Sequence, residues 1–386
     1  MGERARYKNI WDVVYKEKPA SEQAFSKKTL VDIITHQKRI TGYKNHDIDI
    51  NFNRGSIANK RLFLNNIKFE CCDFKGKNSN QRITFTNCSF INCYFGGTEF
   101  THTNFNNCRF ESTSLSLVSF NNCNFDDKNA FRNISHSGAL TKFSETNIKA
   151  TDLIFNTHNY ATRNYCKTNN KKYYIEKYKS RVSTSKLSRN VLLSNASTSD
   201  DDTYYDSMKA LAISSFREKV SKTFKNIYLN LKSCSELCIS KKINHDSNYF
   251  FAFKALILSL ILIFRCFFFP IERAMLFISG GLNGWGGSLS RCIFSGAAIV
   301  LFYSFIYQHI QIDTTSKFDN PFIESLVASL DITFLAGYTK HVTNDGDTTL
   351  ELIALSNMLL GLWWYAISIP TLINKVSTSR LKWIRI

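Results

Sequence analysis

Acidic residues are scarce in this chain. Against 49 Lys and Arg stand only 31 Asp and Glu, a formal net charge of +18 over 386 residues. Catalytic groupings are missing as well. There is no Ser/His/Asp set, no pair of acids at useful spacing and no phosphate loop, and the eight His are scattered. The chain therefore does not read as an enzyme, and no cofactor is expected. No His or Cys pair completes a zinc set, although Cys71 and Cys72 are adjacent and Cys234 and Cys238 sit one helical turn apart. Residues Met1–Arg6 lack the apolar stretch of a secretory signal. The 11 cysteines, an odd number, are accordingly expected as buried thiols in a reducing cytosol.

What is present is a cadence. From Phe85 to Phe125 a large apolar residue falls at every fifth position: Phe85, Phe90, Phe95, Phe100, Phe105, Phe110, Leu115, Phe120, Phe125. A period of five fits neither a helix nor a flat strand. It fits a coil in which each repeat turns one corner. Two places before each large residue sits a compact one, as at Ile83, Cys88, Cys93, Thr98, Thr103, Cys108, Thr113, Val118 and Cys123. The rest are mostly Asn, Ser, Thr and Gly. Leu64, Phe69 and Phe74 keep the spacing upstream, and Phe143, Ile148 and Leu153 resume it out of phase. The breaks at 75–82 and 126–140 read as loops bulging from the stack.

This pattern, over roughly residues 62–155, resembles the pentapeptide-repeat family. The resemblance implies a right-handed quadrilateral β-helix with four repeats, or 20 residues, per coil. Cys88 should then lie under Cys108 and Asn87 under Asn107, in a tower of three to four coils about 4.8 Å apart. Some relatives imitate DNA with an acidic face; the nearly uncharged stack here disfavours that role. The basic excess also does not point to nucleic acid. Residues 156–248 hold 17 Lys and Arg against 8 Asp and Glu, directly ahead of the apolar half of the chain. Basic flanks of this kind mark the cytoplasmic face of a membrane with anionic lipid.

Three apolar segments follow, at 249–270, 292–310 and 350–373. A span needs about 20 residues. The first is interrupted by Lys254 and Arg265, and it is expected at the inner surface with those side chains snorkelling. The tail carries Lys375, Arg380, Lys382 and Arg385 and should be cytosolic, as should the β-helix. An even number of spans is required, and the other two segments supply it. Between them, Asn320-Pro321 opens a short helix, the stretch 335–341 (LAGYTKH) follows, and Thr348 with Glu351 forms a capping box.

The order span, short helix, Gly-Tyr turn, span resembles the two-span pore module of potassium-type channels. The resemblance implies a filter at Leu335, Ala336, Gly337, Tyr338 and Thr339 whose backbone carbonyls face the ion. Asp331 would give electrostatic support at the end of the pore helix, Lys340 would tune the mouth, and Gly361 and Pro370 would form a gating hinge. Leu335 stands where that family has Thr, Ala336 where it has Val, Thr339 where it has Gly and Lys340 where it has an acid. Weak selectivity is the expectation, and passage of anions an option. Gly284-Trp285-Gly286 is a closer literal match to a filter, but Arg273 and Arg291 flank it, and it resembles instead a junction before the first span.

The expected organisation is short helices over 1–55, the β-helix over 56–155, a polar linker over 156–202 and an amphipathic juxtamembrane helix over 203–248. An interfacial apolar segment with a Gly-rich turn over 249–291 and the pore module over 292–386 complete it. The whole reads as a multidomain integral protein of the cytoplasmic (inner) membrane, a homo-oligomer and by resemblance a tetramer, with both termini cytosolic. A protein trigger would bind the β-helix. Depolarisation of the cell, as in an anti-phage effector, is one use for such a pore. The rival is a non-conducting membrane anchor whose β-helix recruits a partner.

Overall fold

The computed structural model describes residues 39–41, 49–51, 61–70, 72–78, 82–136, 140–157, 173–198, 201–239, 245–310, 320–334 and 348–384. The helices expected over 1–55 therefore lie mostly outside the described residues. The chain divides into two compact units, Met1–Arg273 and Ala274–Ile386.

The first unit is built on a β-solenoid of about four turns, whose described strands pair in parallel. One sheet takes β1 (Arg39–Thr41), β4 (Lys68–Glu70), β7 (Ser89–Ile91), β10 (Arg109–Glu111) and β13 (Ala130–Arg132). A second takes β2 (Asp49–Asn51), β5 (Asp73–Lys77), β8 (Thr98–Thr101), β11 (Ser119–Asn121) and β14 (Lys142–Ser144). A third takes β3 (Arg61–Asn65), β6 (Arg82–Thr86), β9 (Thr103–Asn106) and β12 (Asn124–Phe125). The fourth face is held by bridges from Tyr94 to Ser114 and from Ser114 to Ser135. Among the described residues the first strand is thus Arg39–Thr41, ahead of the first repeat legible in the sequence.

The register explains the cadence. Phe85 pairs with Phe105, Phe90 with Phe110 and Phe100 with Phe120, one 20-residue coil apart. Phe69, Phe90, Phe110 and Phe131 form a column with ring centroids 5.2, 4.9 and 5.1 Å apart. Rings in adjacent columns meet edge-on, as Phe85 and Phe90 do at 5.4 Å. The rise of the coil, about 4.8 Å, is thus close to a stacking distance, and a flat ring fills each layer without a void.

The compact inner position also bonds. Thr98 Oγ1 donates to the Phe74 carbonyl at 2.7 Å, Thr113 to Phe90 at 2.9 Å and Thr146 to Phe120 at 3.0 Å. Cys88, Cys108 and Cys123 make longer thiol contacts to Leu64, Phe85 and Phe100 in the coil below. Thr and Cys are small enough for the interior and satisfy themselves there. Burial pushes the Cys123 thiol up to about 12. The neighbouring Cys88 thiol, then burial, raises Cys108 above the usual thiol range. The corner residue before this position takes a left-handed backbone. Asn66, Asn87, Asn92, Asn107, Asn122 and Asn133 all have φ between 51° and 57°, a region that Asn tolerates better than most side chains. Asn107 Nδ2 donates to Asn87 Oδ1 at 2.7 Å, one coil below.

Neither break in the cadence is simply a loop outside the stack. β5 runs through Lys77, and Asn78 is buried, its Oδ1 accepting from Thr101 N at 2.7 Å. In the second break Phe131 and Ile134 are buried, and Phe131 pairs with Phe110. One extra residue is absorbed because Asn129 substitutes for backbone. Its Oδ1 accepts from Cys108 N at 2.8 Å and its Nδ2 donates to Phe105 O at 2.8 Å. At the far end Leu153 belongs to a helix, α1 (Ala150–Phe155), and not to another coil.

Much of the expected polar linker is a helix. α2 (Tyr173–Ser197) lies across the last coil and packs against α3 (Asp201–Ile239). Ser194 Oγ accepts from Thr146 N at 2.8 Å and donates to Thr146 O at 3.0 Å. Asn195 brackets Ile148 in the same way, accepting from its N–H at 3.2 Å and donating to its carbonyl at 2.7 Å. Asp206 of α3 accepts from Thr151 N and Oγ1 at 2.8 and 2.6 Å. The segment is polar because its partner is backbone. These side chains stand where the next coil would have supplied N–H and C=O groups, and they close an edge that would otherwise template further strands.

α3 returns along α4 (His245–Cys266). A tightened turn at Phe267 and Phe268 leads to α5 (Phe269–Leu282), with Pro270 in its first turn. Lys219 of α3 pairs with Glu272 at 2.7 Å, and Phe216 meets Phe269 edge-on at 6.3 Å. By length and composition three helices among the described residues could cross a membrane: Phe250–Leu282, Leu289–Ile310 and Thr348–Val376. The first of these is the segment expected at the surface.

Two tests follow from the solenoid and its cap. Asn195→Ala strands the Ile148 backbone and should cost about 1–3 kcal/mol in denaturant unfolding. Cys108→Thr should be nearly neutral, while Cys108→Leu, which overfills the coil, should lower stability by about 1–3 kcal/mol.

Candidate functional site

The second unit contains α6 (Leu289–Ile310), α7 (Pro321–Thr333) and α8 (Thr348–Ile384). α7 starts as the sequence suggests. Asn320 Oδ1 accepts from Phe322 N at 3.0 Å, with Pro321 in the first turn. Its buried face is Ser325, Ala328, Ser329, Ile332 and Thr333, small or short side chains at helical spacing. Such a face allows close approach to neighbouring helices.

The carboxyl end of α7 is held by a buried polar network centred on Asn357 of α8. Thr333 Oγ1 donates to Asn357 Oδ1 at 2.8 Å. Asn357 Nδ2 donates to Tyr307 OH of α6 at 3.1 Å and reaches Ser329 O at 3.5 Å. Ser329 Oγ in turn donates to Val300 O of α6 at 2.8 Å. Asn357, Tyr307, Ser329 and Thr333 are all fully buried. Around this centre Tyr303 OH bonds Ser356 Oγ at 2.8 Å, and Trp364 Nε1 donates to Cys292 O at 2.7 Å. Three helices are thus tied together in apolar surroundings, where an unsatisfied polar group is expensive.

Gly361 lies one turn beyond Asn357, and a Cβ there would come within 2.4 Å of Thr333 O. The glycine that suggested a hinge therefore has a packing reason: it admits the last turn of α7 against α8. Gly296 of α6 likewise receives the Trp364 ring, which would stand 2.6 Å from an added Cβ. Pro370 sits exposed inside α8, which continues as one helix to Ile384. Asp331 is half-buried on the last turn of α7; the hydrogen bonds to α8 and α6 run through its neighbours Thr333 and Ser329. Leu335, Ala336, Gly337, Tyr338, Thr339 and Lys340 lie outside the described residues. The rival turn Gly284–Gly286 is a single 3-10 turn with Trp285 at φ 59°, its ring packed on Gly280. Among the described residues no group of three or more His, Cys, Asp or Glu could hold a metal ion.

Sequence reasoning missed Asn357, Tyr307, Ser329 and Thr333. The available signal was Asn357 itself, an amide inside an otherwise apolar run, which in a membrane helix marks an inward-facing, functional or structural position.

Residues 83–162 match the family model of the pentapeptide repeat region. The chain thus carries a pentapeptide-repeat β-solenoid, followed by a helical part with apolar helices of membrane-spanning length. No curated protein and no solved structure matches it.

Gly361→Leu should separate α7 from α8 and lower the melting temperature of the detergent-solubilised protein. Asn357→Leu removes the acceptor of Thr333 Oγ1 and one bond to Tyr307 OH and should cost about 1–3 kcal/mol. Asn357→Gln, which keeps the amide, should be the milder change in the same melting assay.

Proposed function

We propose that the protein is an oligomeric ion channel of the cytoplasmic membrane, with α6 and α8 as spans, α7 as a re-entrant helix and the β-solenoid as a cytosolic regulatory domain. The observation that carries this reading is the mounting of α7. At 13 residues it is about 20 Å long, too short to cross a bilayer. Even so, both flanking helices contribute polar groups to hold its carboxyl end. That end carries the negative pole of the helix, and the next residues, 335–339, would line the ion path with backbone carbonyls. Irregular backbone at membrane depth is tolerated where it lines a wet path. One copy cannot surround an ion, so a homo-oligomer is required, a tetramer if the potassium-type likeness holds.

The packing of α3 along α4 favours two spans over three. α3 carries Arg217, Lys219, Lys222 and Lys225 within nine residues. Drawing them into the hydrocarbon core with α4 would cost about 2.5–3.5 kcal/mol for each cation near the centre. α4 in the plane of the inner leaflet avoids this, with Lys254 and Arg265 reaching headgroups. Both ends of the chain then face the cytosol, and the basic tail from Lys375 obeys the positive-inside rule.

In this reading solenoid binding of a partner sets when the pore opens, and an open, weakly selective pore depolarises the cell, as an anti-phage effector would. Purified protein in liposomes should pass ions down potassium, sodium or chloride gradients. Gly337→Pro or Tyr338→Ala should abolish or alter that flux, and a leak indifferent to both sinks the filter assignment. Asp331→Asn should lower the preference for cations over anions, read as a shift in reversal potential. A protein that inserts but never conducts would favour the membrane anchor that recruits a protein partner.

A further inference from the structure

Two polar atoms in the second unit are buried without a hydrogen-bond partner among the described residues, Asn283 Oδ1 and Ser368 Oγ. The amide oxygen can only accept and the hydroxyl can donate, so each is what the other lacks. Elsewhere on α8 the buried polar groups are used. Asn357 holds Tyr307, and Thr371 Oγ1 donates to Ile367 O at 2.8 Å. A buried donor or acceptor left unmade costs free energy, and one in a native fold calls for a reason.

Their placement supplies the reason. Bonds from Trp364 to Cys292 O and from Asn357 to Tyr307 OH set α8 antiparallel to α6. One turn past Trp364, Ser368 comes level with Ser288, and Thr371 with the Gly284–Gly286 turn. α8 packs against that turn. Ser368 falls on the helix stripe of Ala354, Asn357, Gly361 and Thr371, the buried face of α8. Asn283 opens the turn: its carbonyl accepts from Gly286 N at 3.1 Å and from Ser288 N at 2.9 Å. The two unpaired atoms thus belong to one junction.

Both sides of the junction have freedom to shift. Gly284, Trp285 and Gly286 follow one another with φ of 57°, 59° and 94°. Glycine takes these values freely, whereas tryptophan takes them at a cost, so the turn is held in a strained form. Pro370, two residues beyond Ser368, has no N–H to give the Ala366 carbonyl, and helices bend at such places.

We propose that Ser368 and Asn283 are a latch that closes in one state of the pore. They stand apart in this structure, which is the shut form. A bend of α8 at Pro370 brings Ser368 Oγ to donate to Asn283 Oδ1 in the open form. The role of the latch rests on the channel reading given above, but the approach of the two residues does not.

Three measurements on the full-length protein test it. In detergent, Ser368→Ala removes a hydroxyl that has no partner in the shut form, so the melting temperature should hold or rise. A fall like that of Asn357→Leu means that Ser368 is bonded at rest, and overturns the latch. In liposomes, Ser368→Ala and Asn283→Ala should each lower spontaneous ion flux by about tenfold, the worth of one buried hydrogen bond. The double variant should fall no further than either one; losses that multiply overturn the pairing. Finally, the pair Asn283→Cys, Ser368→Cys, placed in a Cys266→Ala, Cys292→Ala background, should form a disulfide with diamide, counted by loss of free thiols. Asn283→Cys with Ile369→Cys, on the exposed face, should not. A target pair that stays reduced overturns the latch whether or not the protein conducts. A disulfide that forms in a protein that never conducts leaves the approach standing and sinks the channel reading instead. In a conducting protein the disulfide should hold the flux high until it is reduced, and flux left at its resting level overturns the assignment to the open form.

Discussion

Everything in this chain depends on finding partners for backbone groups that the local fold leaves open. A parallel coil satisfies its N–H and C=O groups from the coils above and below, so its two ends cannot satisfy themselves. At the C-terminal end the solution is explicit. Ser194 and Asn195 each offer a donor and an acceptor from one side chain, and they dock where Thr146 and Ile148 would have met another coil. Inside the coil the same requirement selects Thr and Cys over Ala at the compact position, because a hydroxyl or thiol can reach a carbonyl of the coil below. In the helical part it selects Asn357, which joins Tyr307, Ser329 and Thr333 among apolar helices.

The aromatic columns and the polar ladder are mutually dependent. Phe rings about 5 Å apart fill the axis only if successive coils hold register, and register is kept by the corner Asn residues and the inner hydroxyl bonds. The extra residue before Phe131 shows how little freedom remains. Its accommodation needs Asn129 to bond Cys108 on one side and Phe105 on the other. A residue without an amide could not repair both contacts.

The solenoid was legible because its signal repeats: nine large side chains at one spacing require one geometry. Its ends were less so. Leu153 keeps the spacing yet sits in α1, since spacing alone does not say where coiling stops. α2 was illegible for a physical reason. Its buried face is Ser185, Leu187, Ser188, Val191, Ser194 and Asn195, which serves backbone as much as apolar surface and so carries no clear apolar stripe. In the helical part the N-cap at Asn320 and the apolar runs could be read from the chain. The network at the end of α7 could not, because its members come from three segments, the outermost pair, Tyr307 and Asn357, 50 residues apart. Gly361 stood out as a glycine inside an apolar run, and its lack of a side chain matters for the contact with Thr333 O.

The polar cap has a mechanical side. α3 begins at the solenoid end, where Asp206 grips Thr151, and continues as one helix to Ile239. At 1.5 Å per residue, 39 residues make a rod about 58 Å long. Pivoted at the cap, a tilt of about 5° moves its far tip by about 5 Å, close to one helical pitch. Such a tilt deforms nothing inside the tower. A slight rocking of the last coil would arrive at the start of α4 magnified into a displacement the size of a helical turn.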